Sequence, residues 1–179
     1  MRLQGLIRRK GAKSGATALE FALLSPVFFL LMFAIIQTGC IYIGEAWLSY
    51  ATNDMARMIR TGQVQLQSID RATFRTMMCD KIDGFLDCNT NLQIDVQKYP
   101  TFTAVNFSPP LDANGNLNTM NNYDPGTNCE VVLVRNFYKY EIPMPIFTPF
   151  LVNMADDSRL LSSAAAFRNE PFTAATNGC

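Results

Sequence analysis

Residues 15–26 read Gly-Ala-Thr-Ala-Leu-Glu-Phe-Ala-Leu-Leu-Ser-Pro, and residues 27–43 continue as Val-Phe-Phe-Leu-Leu-Met-Phe-Ala-Ile-Ile-Gln-Thr-Gly-Cys-Ile-Tyr-Ile. From Phe21 to Ile43 the run is apolar, interrupted only weakly by Ser25, Gln37, Thr38 and Gly39. A bilayer-spanning helix needs ~20 such residues. One carboxylate, Glu20, is set into its start. A charge in hydrocarbon costs on the order of 2.5–3.5 kcal/mol on insertion scales, so Glu20 is a candidate functional residue.

The flanks give the run a direction. Arg2, Arg8, Arg9, Lys10 and Lys13 precede Gly15, and no acid does. Basic flanks stay on the cytoplasmic side. A cleaved secretory signal has a shorter apolar core of ~7–15 residues and a small-x-small site after it. Gly44-Glu45-Ala46-Trp47 offers no such site. The expected organisation is a basic cytoplasmic leader (1–15), a transmembrane helix (16–45) and an exported domain (46–179).

Beyond the run, residues 46–59 contain neither Pro nor Gly. Trp47, Ala51, Met55 and Met58/Ile59 recur every three or four positions, the spacing of one helical face. Gly62 suits a C-cap. One helix is therefore expected from about Ala16 to Thr61, ~70 Å at 1.5 Å per residue. Pro26 removes a backbone donor inside it and is a candidate kink. A second helix is expected over 68–85, capped by Ser68 or Asp70, with Ile69, Ala72, Thr73, Thr76, Met77 and Ile82 as its apolar stripe.

After Cys88 the period changes to two. Leu92, Ile94 and Val96 alternate with Gln93, Asp95 and Gln97, the pattern of a half-buried strand. Residues 101–107 are read as continuing or pairing with it. Residues 109–127 hold Pro109-Pro110, Asn114-Gly115 and Asp124-Pro125-Gly126, all turn signals. Residues 130–142 form the strongest strand pattern and 160–167 a final one. No crossover helices separate these strands, so the sheet is expected to be antiparallel. The fold class is α+β: a long N-terminal helix, then a small domain with an antiparallel sheet and one further helix.

Charge and cysteine bear on compartment. The 15 basic and 15 acidic residues balance. Five bases sit in the leader, so the remainder carries ten bases against fifteen acids. That acidic balance argues against nucleic-acid binding. Cys79, Cys88, Cys129 and Cys179 follow the apolar run, and Cys40 lies within it. Four cysteines in an exported region read as two disulfides. Three pairings exist; Cys79–Cys88 and Cys129–Cys179 are the expected pair. Zinc is not expected, because the chain has no histidine and no C-x-x-C.

The absence of histidine also removes Ser-His and Cys-His dyads. No P-loop, dinucleotide fingerprint or nucleophile elbow occurs. Asp156-Asp157 is an adjacent carboxylate pair better suited to a turn. Asp112-Ala113-Asn114-Gly115-Asn116 echoes a calcium loop, but Leu117 and Tyr123 stand where the turn glycine and bidentate glutamate belong. No enzyme activity, catalytic residue, metal or cofactor is expected.

Glycine, then a small residue, then Glu-Phe five and six positions past the glycine resembles the processing site of type IV prepilins. Residues 15–26, the apolar run into 46–60, and the ending Phe167-Arg168-Asn169-Glu170-Pro171-Phe172 together resemble TadE-type minor pseudopilins of the tight-adherence (Flp/Tad) pilus; the TadF-like relatives share the same N-terminal type, and the two stay open. The resemblance implies cleavage between Gly15 and Ala16 by a prepilin peptidase. It implies that Glu20 and Phe21 serve recognition and assembly. A buried Glu20 needs a partner, and the new α-amino group of Ala16, from the same or a neighbouring subunit, would supply it. The implied partners are the inner membrane, the peptidase and other pilins or pseudopilins. The alternative is an uncleaved, inner-membrane-anchored periplasmic binding or assembly factor.

Overall fold

The first helix begins earlier than its sequence pattern suggests. In the computed structural model, which describes residues 12–88 and 90–172, α1 runs Ala12–Arg60. Ala12 and Lys13 are good helix formers and extend it by a turn into the leader. The rest of the leader, with Arg2, Arg8, Arg9 and Lys10, lies outside the described residues. Gly62 ends the helix at φ +78°, a left-handed position that costs glycine nothing. A Cβ there would also clash with the Phe172 ring.

The chain divides into two compact units, Met1–Thr38 and Gly39–Cys179. In the second, α1 is followed by a single turn, α2 (Gln63–Leu66), which sequence periodicity did not reveal. Then comes α3 (Arg71–Ile82), whose Asp70 cap accepts from the Thr73 amide at 2.9 Å. Ser68 lies outside α3 at φ +51°. Three strands complete the fold: β1 (Leu92–Tyr99), β2 (Val131–Glu141) and β3 (Ser158–Arg168), with a short α4 (Thr148–Leu151) between the last two. Both pairings are antiparallel, in the order β1-β2-β3. The α+β class read from the sequence is the observed one.

Two side-chain stripes differ from expectation. On α1 the core face is Leu48, Ala51, Met55 and Ile59, all fully buried, while Trp47 stays 43% exposed. On α3 the buried residues are Phe74, Met78 and Ile82, spaced four apart on one face. Ala72, Thr73 and Thr76 are exposed. The larger side chains bury more apolar area and so set the rotation of the helix. Residues 101–107 also depart: after Pro100 they form a 3₁₀ turn at Phe102–Ala104 rather than strand. Pro100 has no amide to continue the ladder.

β2 is buried along most of its length on both faces. Its even-numbered residues Val132, Val134 and Tyr138 pack with Leu92, Ile94, Val96 and Leu161 against the α1 and α3 faces. The odd-numbered Phe137 joins Met154 and Leu160 under Leu111, Leu117 and Met120 of the turn-rich segment. That segment is thus a cover for the second face of the sheet. It also lines the free edge of β1, where Val96 exchanges backbone bonds with Asn122 and Asp124 at 3.1 and 2.9 Å. An exposed edge invites intermolecular pairing, and this contact blunts it.

Candidate functional site

Gly15, Ala16, Glu20 and Phe21 all lie on the first turns of α1 and are exposed. Residues 16 and 20 are four apart, so they share a face with Cβ atoms ~5–6 Å apart. An amine at Ala16 would therefore be within side-chain reach of the Glu20 carboxylate of its own chain. No ion pair to Glu20 forms among the described residues. A Cβ at Gly15 would meet nothing within 4 Å. Steric room in the isolated chain therefore does not require glycine at that position.

The helix that carries these residues is apolar all round. Leu19, Phe21, Leu23, Leu24, Val27, Leu31 and Ile35 are each more than 60% exposed. The most apolar 18-residue window is 0% buried, and the helix is long and apolar enough to cross a membrane. A helix apolar on every side needs a bilayer or a packed bundle around it.

In the second unit several polar contacts join elements distant in the chain. Asp95 is fully buried, and its carboxylate accepts from Arg135 Nε and an Arg135 terminal nitrogen at 2.9 and 2.7 Å. Gln97 and Asn122 amides complete it at 2.8 and 2.9 Å. The other guanidinium nitrogen donates to the Asn106 and Ser108 carbonyls at 3.1 and 3.0 Å. This cluster stitches β1, β2 and the covering segment together. The Asn136 amide donates to the Thr52 hydroxyl at 2.8 Å, and Thr52 donates to the Leu48 carbonyl at 2.7 Å. That chain bolts β2 to α1. Alternation alone placed Asp95 on a solvated face; nothing local to β1 announced the cover.

Two partly exposed carboxylates are held acidic chiefly by a neighbouring lysine, with Arg57 adding to the effect at Asp54. The Lys81 ammonium holds the Asp54 carboxyl below the usual carboxylate range, and Lys139 with the Ser158 hydroxyl does the same for Asp156. Asp157, its neighbour, occupies a left-handed turn at φ +58°. Tyr123 is pushed up to about 12 by burial and by the Asp70 charge; its hydroxyl donates to the Ile69 carbonyl at 2.9 Å. Asp112 accepts from the Asn114 and Asn116 amides at 2.8 Å each. Its carboxylate is thus spent on a local turn.

Cys79 and Cys88 form a disulfide with Cα atoms 5.4 Å apart. Arg75 spans the same loop, donating to the Cys88 and Leu92 carbonyls at 2.8 and 2.6 Å. Cys179 lies outside the described residues, and with it the Cys129–Cys179 pairing. Cys40 is a free thiol on α1. The ending 167–172 ties back to the helix terminus. Asn169 donates to the Pro125 and Thr127 carbonyls, and the Glu170 amide donates to the Arg60 carbonyl at 2.9 Å.

These features define a class: a small α+β domain carried on one N-terminal helix with a prepilin-like junction at its start. The TadE-like protein family model matches residues 15–57, about a quarter of the chain. Over that stretch the chain is similar to the family, and the match contains the Gly15-to-Phe21 junction, the apolar run and most of the amphipathic continuation of α1. No curated protein and no solved structure matches the chain.

Proposed function

We propose that the protein is a minor pseudopilin of a Tad/Flp-type pilus. A prepilin peptidase cleaves it after Gly15, and the helix from Ala16 anchors it in the inner membrane, with the leader cytoplasmic and the domain periplasmic. Its partners are other pilins or pseudopilins of the same machinery. It acts by packing, and it is not an enzyme. The observation that carries the reading is the placement of Glu20 one turn from Ala16 at the head of an exposed apolar helix. A buried carboxylate in an assembled bundle requires a counter-charge, and cleavage creates one within reach.

The test is the intact mass of the protein from native membranes, with and without the peptidase. A peptidase-dependent N-terminus at Ala16 supports the reading. An unchanged leader in both cases refutes it and leaves an uncleaved, membrane-anchored periplasmic binding or assembly factor.

A further inference from the structure

The connection between β2 and β3, residues 142–157, is built differently from the other loops. From Ile142 to Ala155 it carries no charged residue. Pro143, Pro145 and Pro149 stiffen it, and it is folded into a 3₁₀ turn (Pro145–Phe147) and α4. Phe147 is buried and anchors it. Ile146 and Phe150 point outward, 59% and 84% exposed. A rigid loop that presents a bulky apolar pair to water is not explained by its own core. Two bulky apolar side chains exposed four residues apart on one loop make it a candidate contact surface.

Its position says what the surface meets. β2 and β3 end together at the Glu141–Ser158 pair, and the loop closes that end of the sheet. The same end abuts α1 at Gly44 and Glu45. A Cβ at Gly44 would touch Leu161 at 3.0 Å and Phe85 at 3.5 Å. Arg159 clamps the corner, one guanidinium nitrogen 3.6 Å from the Glu45 carboxylate and the other donating to the Leu151 carbonyl at 3.0 Å. By sequence this is where the apolar run ends. The stretch from Phe21 to Ile43 is ~35 Å of helix at 1.5 Å per residue, against ~30 Å of hydrocarbon, so Ile43 and Glu45 reach the headgroup level. Tyr42, Trp47 and Tyr50 are exposed around the same segment of α1, and such amphipathic rings are enriched at that level.

We propose that loop 142–152 is a second bilayer contact, with Ile146 and Phe150 seated among the headgroups and upper acyl chains of the leaflet from which the domain emerges. The inference rests on α1 being a membrane anchor.

The experiment uses the full chain reconstituted in phosphatidylcholine/phosphatidylglycerol vesicles with brominated acyl chains. Trp47 is the only tryptophan, so a Trp47→Phe background carries either Phe150→Trp or Leu30→Trp. Phe150 is largely exposed, and its replacement leaves the core untouched. The expected result is blue-shifted Phe150→Trp emission that bromolipid largely abolishes. Unquenched Phe150→Trp beside quenched Leu30→Trp overturns the loop contact while leaving the anchor in place. Blue-shifted but unquenched emission also overturns it, because protein rather than lipid then covers the loop. If neither probe is quenched, the anchor reading fails and the loop proposal fails with it.

Discussion

Replacing Arg135 by methionine removes the counter-charge of the most deeply buried acid in the domain. Asp95 has no side-chain exposure and Arg135 has 8%. The two face each other across the β1–β2 register. Breaking a buried pair by deleting one partner costs about 3–5 kcal/mol, because the remaining charge is stranded. Against a typical domain stability of about 5–15 kcal/mol that is a large fraction. The Asn106 and Ser108 carbonyls lose their donor as well, so Arg135→Met belongs at the upper end of that range.

Asp95→Asn combined with Arg135→Met leaves no stranded charge. The double variant is therefore expected to be less destabilised than the sum of the singles by about 2 kcal/mol, a normal coupling for residues in contact. The assay is urea unfolding of the full chain in detergent micelles, read by Trp47 fluorescence. Trp47 stacks on Phe85 at 6.1 Å and donates to the Lys81 carbonyl at 3.0 Å, so it reports the docking of α1 on α3. The urea slope should be unchanged if only stability moves. A cost for Arg135→Met below about 1 kcal/mol, the range of exposed pairs, would refute the reasoning. So would strict additivity of the two singles.

Other outcomes follow from the same contacts. Thr52→Val keeps the shape but leaves the buried Asn136 amide without its acceptor; a loss of about 1–3 kcal/mol is expected, checked in the same urea assay. Cys88→Ser opens a nine-residue separation, for which loop-closure entropy gives about 2–3 kcal/mol; dithiothreitol on the parent chain should cost at least as much. Acid should weaken the domain through Asp54 and Asp156. Their folded pKa values lie below the ordinary ~3.9, so their contribution is full above that pH and is lost as pH falls through the folded values. Each pair is partly exposed, which limits it to about 1 kcal/mol or less. A stability profile from pH 7 into the acid range should lose part of its acid slope in Asp156→Asn.

The amino-acid sequence alone determined the features whose physics is local. A continuous apolar run sets a helix length, Gly62 sets its end, and the alternation in 92–97 sets a strand, because each depends on neighbours within a few residues. The antiparallel sheet followed from connections without crossovers. The junction at residues 15–21 was read from its resemblance to prepilin processing sites, and the family match spans it. Only the tertiary structure decided which faces are buried. Trp47 fits the helical stripe as well as Leu48 does, and the choice falls to Leu48 because it meets the β-sheet core. Thr73 and Thr76 yielded to Phe74 and Met78 for the same reason. Asp95 looks solvated in its strand and is buried because a segment some ten to thirty residues later folds over it and Arg135 arrives from the next strand. Ile146 and Phe150 carry an ordinary apolar pattern, and they become a surface only because Arg159 holds their loop beside Glu45. Local periodicity encodes backbone geometry; which face meets what is a sum over contacts distant in the chain, and folding is the step that evaluates it.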